Sequence, residues 1–169
     1  MKDWIFRLLL AVAIIALAFW LWRTFFPGPE RVIRQQLSEV AKLASFAANE
    51  APLAKMANAQ KLSSFFSDDA EVRVEVQGFA PQSLKGREDI FQKTLGVRQY
   101  LASVNVEFLD VNVSVSPDRQ TAVANLTAKI KVSVEKDFYP QELKFTFKRI
   151  NGKWLIIRIE MVKTLAVMQ

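Results

Sequence analysis

The sequence predicts an α+β domain, a curved antiparallel sheet with helices packed on one face, behind a single N-terminal transmembrane helix. Three observations carry this expectation. The first 26 residues are almost continuously apolar. Apolar side chains then recur at helical spacing between Glu30 and Phe66. From Ser103 onward the period shortens to two, the spacing of half-buried strands.

Composition narrows the chemistry. A chain of 169 residues can hold one domain with a substantial core plus an appendage. It is 51% hydrophobic, with 13 Phe and 4 Trp, so a core can form. There are no cysteines, which excludes disulfides and thiolate chemistry. There is also no histidine, the commonest metal ligand and the usual general base near neutral pH. Neither a metal centre nor a cofactor is expected. The net charge is +6, but basic residues alternate with acidic ones in "EVRVE" and "KGREDIFQK". That pattern describes a solvated mixed-charge surface, so no nucleic-acid partner is expected.

The run from Leu8 to Trp22 is apolar throughout, and the stretch from Trp4 to Phe26 is broken only by Arg7, Arg23 and Thr24. A spanning helix needs about 20 such residues. Arg7 and Arg23 lie near the ends, where they can snorkel, and Trp4, Trp20 and Trp22 suit the two interfaces. "ALA" at 16–18 resembles a signal-peptide cleavage site, but bulky Phe19 to Trp22 follow where a polar mature start belongs. Residues 1–26 therefore read as an uncleaved signal-anchor. Long domains cross a membrane largely regardless of charge. The domain is accordingly expected outside the cytoplasm, in the periplasm if the source is bacterial, on a single-pass membrane protein.

"PGPE", residues 27–30, reads as a linker, with the folded domain over 31–166. A helix is expected from Glu30 to Ala48, with Ile33, Leu37, Val40, Ala44 and Ala47 on one face. A second helix begins with Pro52 in its first turn and carries Leu53, Met56, Ala59, Leu62 and Phe66 toward the core. "EVRVEV" alternates as a strand, "GFAPQSLKG" as a loop, and "REDIFQKTLGVRQYL" as a third helix.

In "VNVEFLDVNVSV", Val104, Val106 and Phe108 share one parity, and Leu109, Val111, Val113 and Val115 the other. A β-bulge produces such a switch. "TAVANLTAKIKVSVE" alternates cleanly, with Ala122, Ala124, Leu126, Ala128 and Ile130 pointing one way. "KFTFKRINGKWLIIRI" reads as a hairpin closing the sheet, its Asn151-Gly152 pair suited to a type I′ turn.

The stretches "FFSDDAEVRVEV", "LKGREDIFQKTL" and "FKRINGKWLIIRIEMV" together resemble the nuclear transport factor 2-like superfamily, a cone-shaped α+β fold that includes the SnoaL-like proteins. Arg149, Gly152, Trp154 and Ile156 match the spacing of its final hairpin. The resemblance spans roughly residues 30 to 165 and specifies fold rather than function. It implies a pocket between sheet and helices. In members like ketosteroid isomerase, a general-base aspartate lies on the first strand. That position falls near Val74, which cannot accept a proton. Dehydratase-like members use a His-Asp pair, and this chain has no histidine.

The leading expectation is therefore a membrane-anchored, non-catalytic binding or scaffold domain mediating protein-protein association. A homodimer or protein partner is expected through the open sheet face, with Val123 or Trp154 as exposed anchors. The alternatives are a binder of small hydrophobic ligands, a SnoaL-like enzyme, or a subunit of an envelope or secretion assembly. Ligand-binding candidates are Tyr100, Arg158 and Glu160. The last two share parity with Trp154 and Ile156, and would form a buried pair if that face is internal. Tyr139 is a further tyrosine within reach of a pocket. No catalytic residue is assigned.

Overall fold

Pro29 opens the first helix, where its missing N–H costs nothing. Helix α1 (Pro29–Ala44) carries Glu30 in its first turn and Lys42 in its last, matching the helix dipole. Its buried stripe is Ile33, Leu37, Val40, Ala41 and Leu43. The helix starts inside the expected linker and stops short of Ala48. Ser45 turns extended, and Phe46 forms an antiparallel bridge with Val104.

The computed structural model describes residues 28–74, 82–132 and 139–162, with Val12. Apart from Val12, the expected membrane segment lies outside the described residues. Among the described residues, no helix is long and apolar enough to cross a membrane.

Helix α2 (Pro52–Ser63) begins at the expected proline. Strand β1 (Phe66–Val74) starts five residues before Glu71, where a helix end was expected, because Phe66 pairs with Ile156. Strand β2 (Gln82–Lys85) lies in the segment expected as a loop. Four residues are too few to display a period, and only pairing with β1 makes them a strand. Helix α3 (Gly86–Tyr100) matches expectation. Strands β3 (Val104–Val115), β4 (Thr121–Val132), β5 (Tyr139–Ile150) and β6 (Lys153–Met161) complete the sheet.

The sheet order is β2-β1-β6-β5-β4-β3. Every neighbouring pair is antiparallel except β1 and β6, which are parallel. The sheet is thus mixed where a wholly antiparallel one was expected. The reason is long-range. β1 arrives from the helical layer and docks beside the last strand, and no local pattern encodes that direction.

Two bulges set which side chains reach the core. In β3 the register jumps between Leu109 and Asn112, and Asp110 takes φ 52. Val104 is buried before the jump and Val113 after it, so the parity switch is real. Leu109, expected inward with the later set, instead lies 40% exposed, because the extra residue follows it. In β6, Phe147 faces Ile156 while Thr146 faces Arg158, leaving Ile157 unopposed. The β5–β6 turn has φ 50 at Asn151 and φ 80 at Gly152, the two positive values a type I′ turn requires.

One hydrophobic cluster joins the helices to the inner sheet face. Small side chains on β4 (Ala122, Ala124, Ala128) lie among larger ones from α1 and β5 (Ile33, Leu37, Phe145, Phe147). Phe145 stacks on Phe147 at 6.3 Å and meets Phe108 edge-on at 5.6 Å.

The start of α3 is fixed to β1. Arg87 donates to the Phe66 carbonyl through Nε at 3.0 Å and Nη2 at 2.7 Å, and pairs with Asp68 at 3.0 Å. Gly86 has φ +85, and a Cβ there would stand 3.0 Å from the Asp68 carbonyl oxygen. Gly152 has φ +80 with open space around it. Gly86→Ala should therefore lose about 2 kcal/mol or more in urea unfolding, from both strain and the close approach, and Gly152→Ala only about 1 kcal/mol. Equal losses would refute the close-approach account.

The β3–β4 turn is pinned by Asp118, whose carboxylate accepts from the Ser116 hydroxyl and from the Gln120 amide at 3.0 Å. These bonds hold the Asp118 carboxyl below the usual carboxylate range. A lowered folded-state value contributes stability above the unfolded pKa and loses it as pH falls through the folded one. Acid titration of unfolding should show a shallower acid loss in Asp118→Asn than in the parent. An unchanged acid limb would count against this role.

Candidate functional site

The three candidate ligand-binding residues lie at the surface. Tyr100 ends α3 and is 89% exposed. Arg158 and Glu160 share sequence parity with buried Trp154 and Ile156, but the bulge at Ile157 reverses the face of β6. Ile159 takes the inward position, so the expected buried pair does not form. Arg158 instead reaches Glu71 at 3.4 Å and Glu160 at 3.8 Å on the outer face. Glu71 also meets Arg73 at 3.4 Å. The Tyr139 side chain lies outside the described residues.

The outer sheet face differs from expectation in a second way. Trp154, expected there as an exposed anchor, is buried in the core, and Gln36 donates to its carbonyl at 3.1 Å. Val123 does face outward, half-buried between Ser114 and Thr146. Around it run cross-strand rows of alternating charge, such as Lys144, Glu160 and Arg73.

Inside, the strands present apolar side chains almost throughout. The buried polar residues among those described are Ser63, Ser67, Arg98 and Gln141. On β1, Ala70 is buried and Val72 packs against the cluster. Asp69, beside them in sequence, is exposed, and its carboxyl is held below the usual range by Ser67. No group of three or more potential metal ligands occurs among the described residues. The charged side chain buried among those residues is Arg98, and it is paired with Glu50.

Arg98 is the buried residue that the sequence reading missed. It lies 1% exposed, with Nη1 at 2.6 Å and 2.5 Å from the two Glu50 oxygens. Nη2 donates to the Leu43 carbonyl, and the guanidinium lies 4.9 Å above the Phe46 ring. Asn58 donates to Glu50 at 2.7 Å. One side chain thus joins the end of α1, the α1–α2 connection and the end of α3. A signal existed: Ile90, Thr94 and Arg98 recur every four residues, so Arg98 lies on the inward face of α3.

Flanking this clamp are exposed apolar side chains. On α2, Leu53 is 82% exposed and Met56 51%, although both were expected in the core. Each step of three residues turns the face of the helix by about 60°, so the run Leu53, Met56, Ala59, Leu62 swings half-way round α2 and only its later members are buried. On α3, Val97 and Tyr100 flank Arg98 and are also exposed.

A second feature is a groove of about 420 Å³ between α1 and β3. Ser45 closes one end, its hydroxyl accepting from the Val106 amide at 2.9 Å. Arg34 closes the other by donating to the Val111 carbonyl. Between these ties the β3 bulge distorts the strand.

No protein-family model matches the chain, and no curated protein matches its sequence. Solved structures match its fold. A nuclear transport factor 2-like protein of unknown function from Pseudomonas putida KT2440 is 12% identical, with a TM-score of 0.62, over 84% of this chain and 91% of that one. A cystatin-like domain of unknown function from Nostoc punctiforme is 14% identical, TM-score 0.62, over 84% and 81%. A candidate scytalone dehydratase from Novosphingobium aromaticivorans is 15% identical, TM-score 0.57, over 80% and 83%. The described domain therefore has the nuclear transport factor 2-like fold, which is found both in domains of unknown function and in candidate enzymes.

Arg98→Met should cost about 3 kcal/mol or more, since it strands the Glu50 carboxylate. Adding Glu50→Gln should recover much of that loss in urea unfolding. A double variant no more stable than the single one would show that the pair is not the unit.

Proposed function

We propose that this chain is a single-pass membrane protein whose extracytoplasmic domain is a non-catalytic scaffold that binds another protein. The observation that carries this reading is a set of exposed large apolar side chains on α2 and α3. Leu53, Met56, Val97 and Tyr100 are all exposed there, on two helices locked together by Arg98 and Glu50. Large apolar side chains that join into a contiguous exposed surface are typical of a protein-binding site. Tyr100 and Met56 belong to residue types enriched in interfaces.

The anchor reading rests on the apolar run from Leu8 to Trp22 and its flanking arginines and tryptophans. Helix α1 starts three residues after Phe26, and its 16 residues span about 24 Å. Its far end, at Leu43, is where Arg98 docks. Association through the sheet face, the earlier expectation, would have to be ionic, given the alternating charges of Lys144, Glu160 and Arg73. Catalysis on a hydrophobic molecule is the weaker reading. Arg98, the buried charged side chain among the described residues, is already committed to Glu50.

The test is capture of partners from detergent-solubilised membranes of the source organism. Leu53→Glu with Tyr100→Glu should abolish a specific partner while leaving the unfolding curve unchanged, since both residues are exposed. Retention by this variant, with loss in Arg158→Glu, would move the interface to the sheet. The full chain should also stay in the membrane pellet after alkaline carbonate washing, and its release would overturn the anchor.

A further inference from the structure

We propose that the groove between α1 and β3 binds an acyl chain with an anionic head. The site is separate from the apolar helix ends and shares no residue with them. Its floor is apolar: Leu37 and Ala41 from α1 meet Val106, Phe108 and Val111 from β3. Its rim is polar. Arg34, Ser38 and Lys42 recur every four residues along α1, all exposed, so two cations flank a hydroxyl on one helical face. Glu107 is the opposing charge on the β3 side, leaving a net charge of +1 around the mouth.

The main chain adds a donor. Val104 and Val106 turn their amides away from β4, the first toward Phe46 and the second toward Ser45. By the same alternation, Phe108 presents its N–H and C=O to the groove. Ser45 and Arg34 tie the strand on either side of it. Between those two ties, Phe108 is the residue whose main chain faces the groove. It suits a compact anionic head.

The dimensions agree. The groove holds about 420 Å³ and is half open to solvent, so the ligand lies along it with one side exposed. From Arg34 to Lys42 the helix rises about 12 Å, the length of a medium acyl chain. Each methylene laid on the apolar floor contributes up to about 0.8 kcal/mol. A single net positive charge fits a carboxylate or phosphodiester head better than a multiply charged one.

The test uses the full chain in phosphatidylcholine nanodiscs, with radiolabelled dodecanoate as probe and empty discs as baseline. Saturable binding of one dodecanoate per chain is expected above that baseline. Lys42→Glu should weaken it about tenfold, the loss expected for one charge-assisted contact. Ser38→Trp, on the exposed rim, should abolish binding by filling the mouth, with the circular dichroism spectrum unchanged. Discs containing phosphatidylglycerol separate the two sources of such a ligand. Suppressed dodecanoate uptake assigns the groove to a membrane lipid, and unchanged uptake assigns it to a free fatty acid. Absence of saturable binding, undiminished binding in Ser38→Trp, or equal binding of dodecyltrimethylammonium overturns the proposal.

Discussion

The helical layer depends on one buried cation. Taking a guanidinium out of water is costly unless its hydrogen bonds and charge are met inside the protein. Arg98 meets most of that demand with Glu50, the Leu43 carbonyl and the Phe46 ring, while its buried Nε has no hydrogen-bond partner among the described residues. The relative positions of α1, α2 and α3 at this end follow from satisfying one side chain. Phe46, held under the guanidinium, also bridges to Val104, so the same cluster connects to the edge of the sheet. The exposed apolar residues beside it are thereby presented on a fixed surface.

The sheet has its own controlling feature, the pair of bulges. A bulge adds one residue and exchanges the two faces beyond it. In β6 this sends Arg158 and Glu160 outward and brings Ile159 in, which keeps charge out of the core. In β3 it lies along an edge strand, where unpaired main-chain groups invite association. Phe46, Ser45 and Arg34 meet that edge at Val104, Val106 and Val111, and the groove opens between the last two.

The legible parts of the fold were those with a strong local period. The β4 alternation, the parity switch in β3 and the Asn151-Gly152 turn all follow from neighbours in sequence. The resemblance carried by the final hairpin agrees with the fold of the solved structures. The misreadings of β1 and β2 share one cause. β2, the early start of β1 and its parallel pairing with β6 are defined by distant partners. Leu53, Met56, Ala59 and Leu62 recur every three residues, and about 60° of rotation per step carries the first two away from the face that Ala59 and Leu62 bury. The bulge in β6 left no such trace, because isoleucines at 156, 157 and 159 are apolar on either face.

The sequence by itself determined the fold class, most of the elements, and the absence of histidine and cysteine chemistry. Those properties depend on composition and on contacts between near neighbours. The tertiary structure decided which residues are available for function. It buried Arg98 and Trp154, exposed Tyr100, Leu53 and Met56, and turned Arg158 and Glu160 to the outer face. Exposure is a property of how elements stack and of where a strand slips by one residue, and neither is written within any single element.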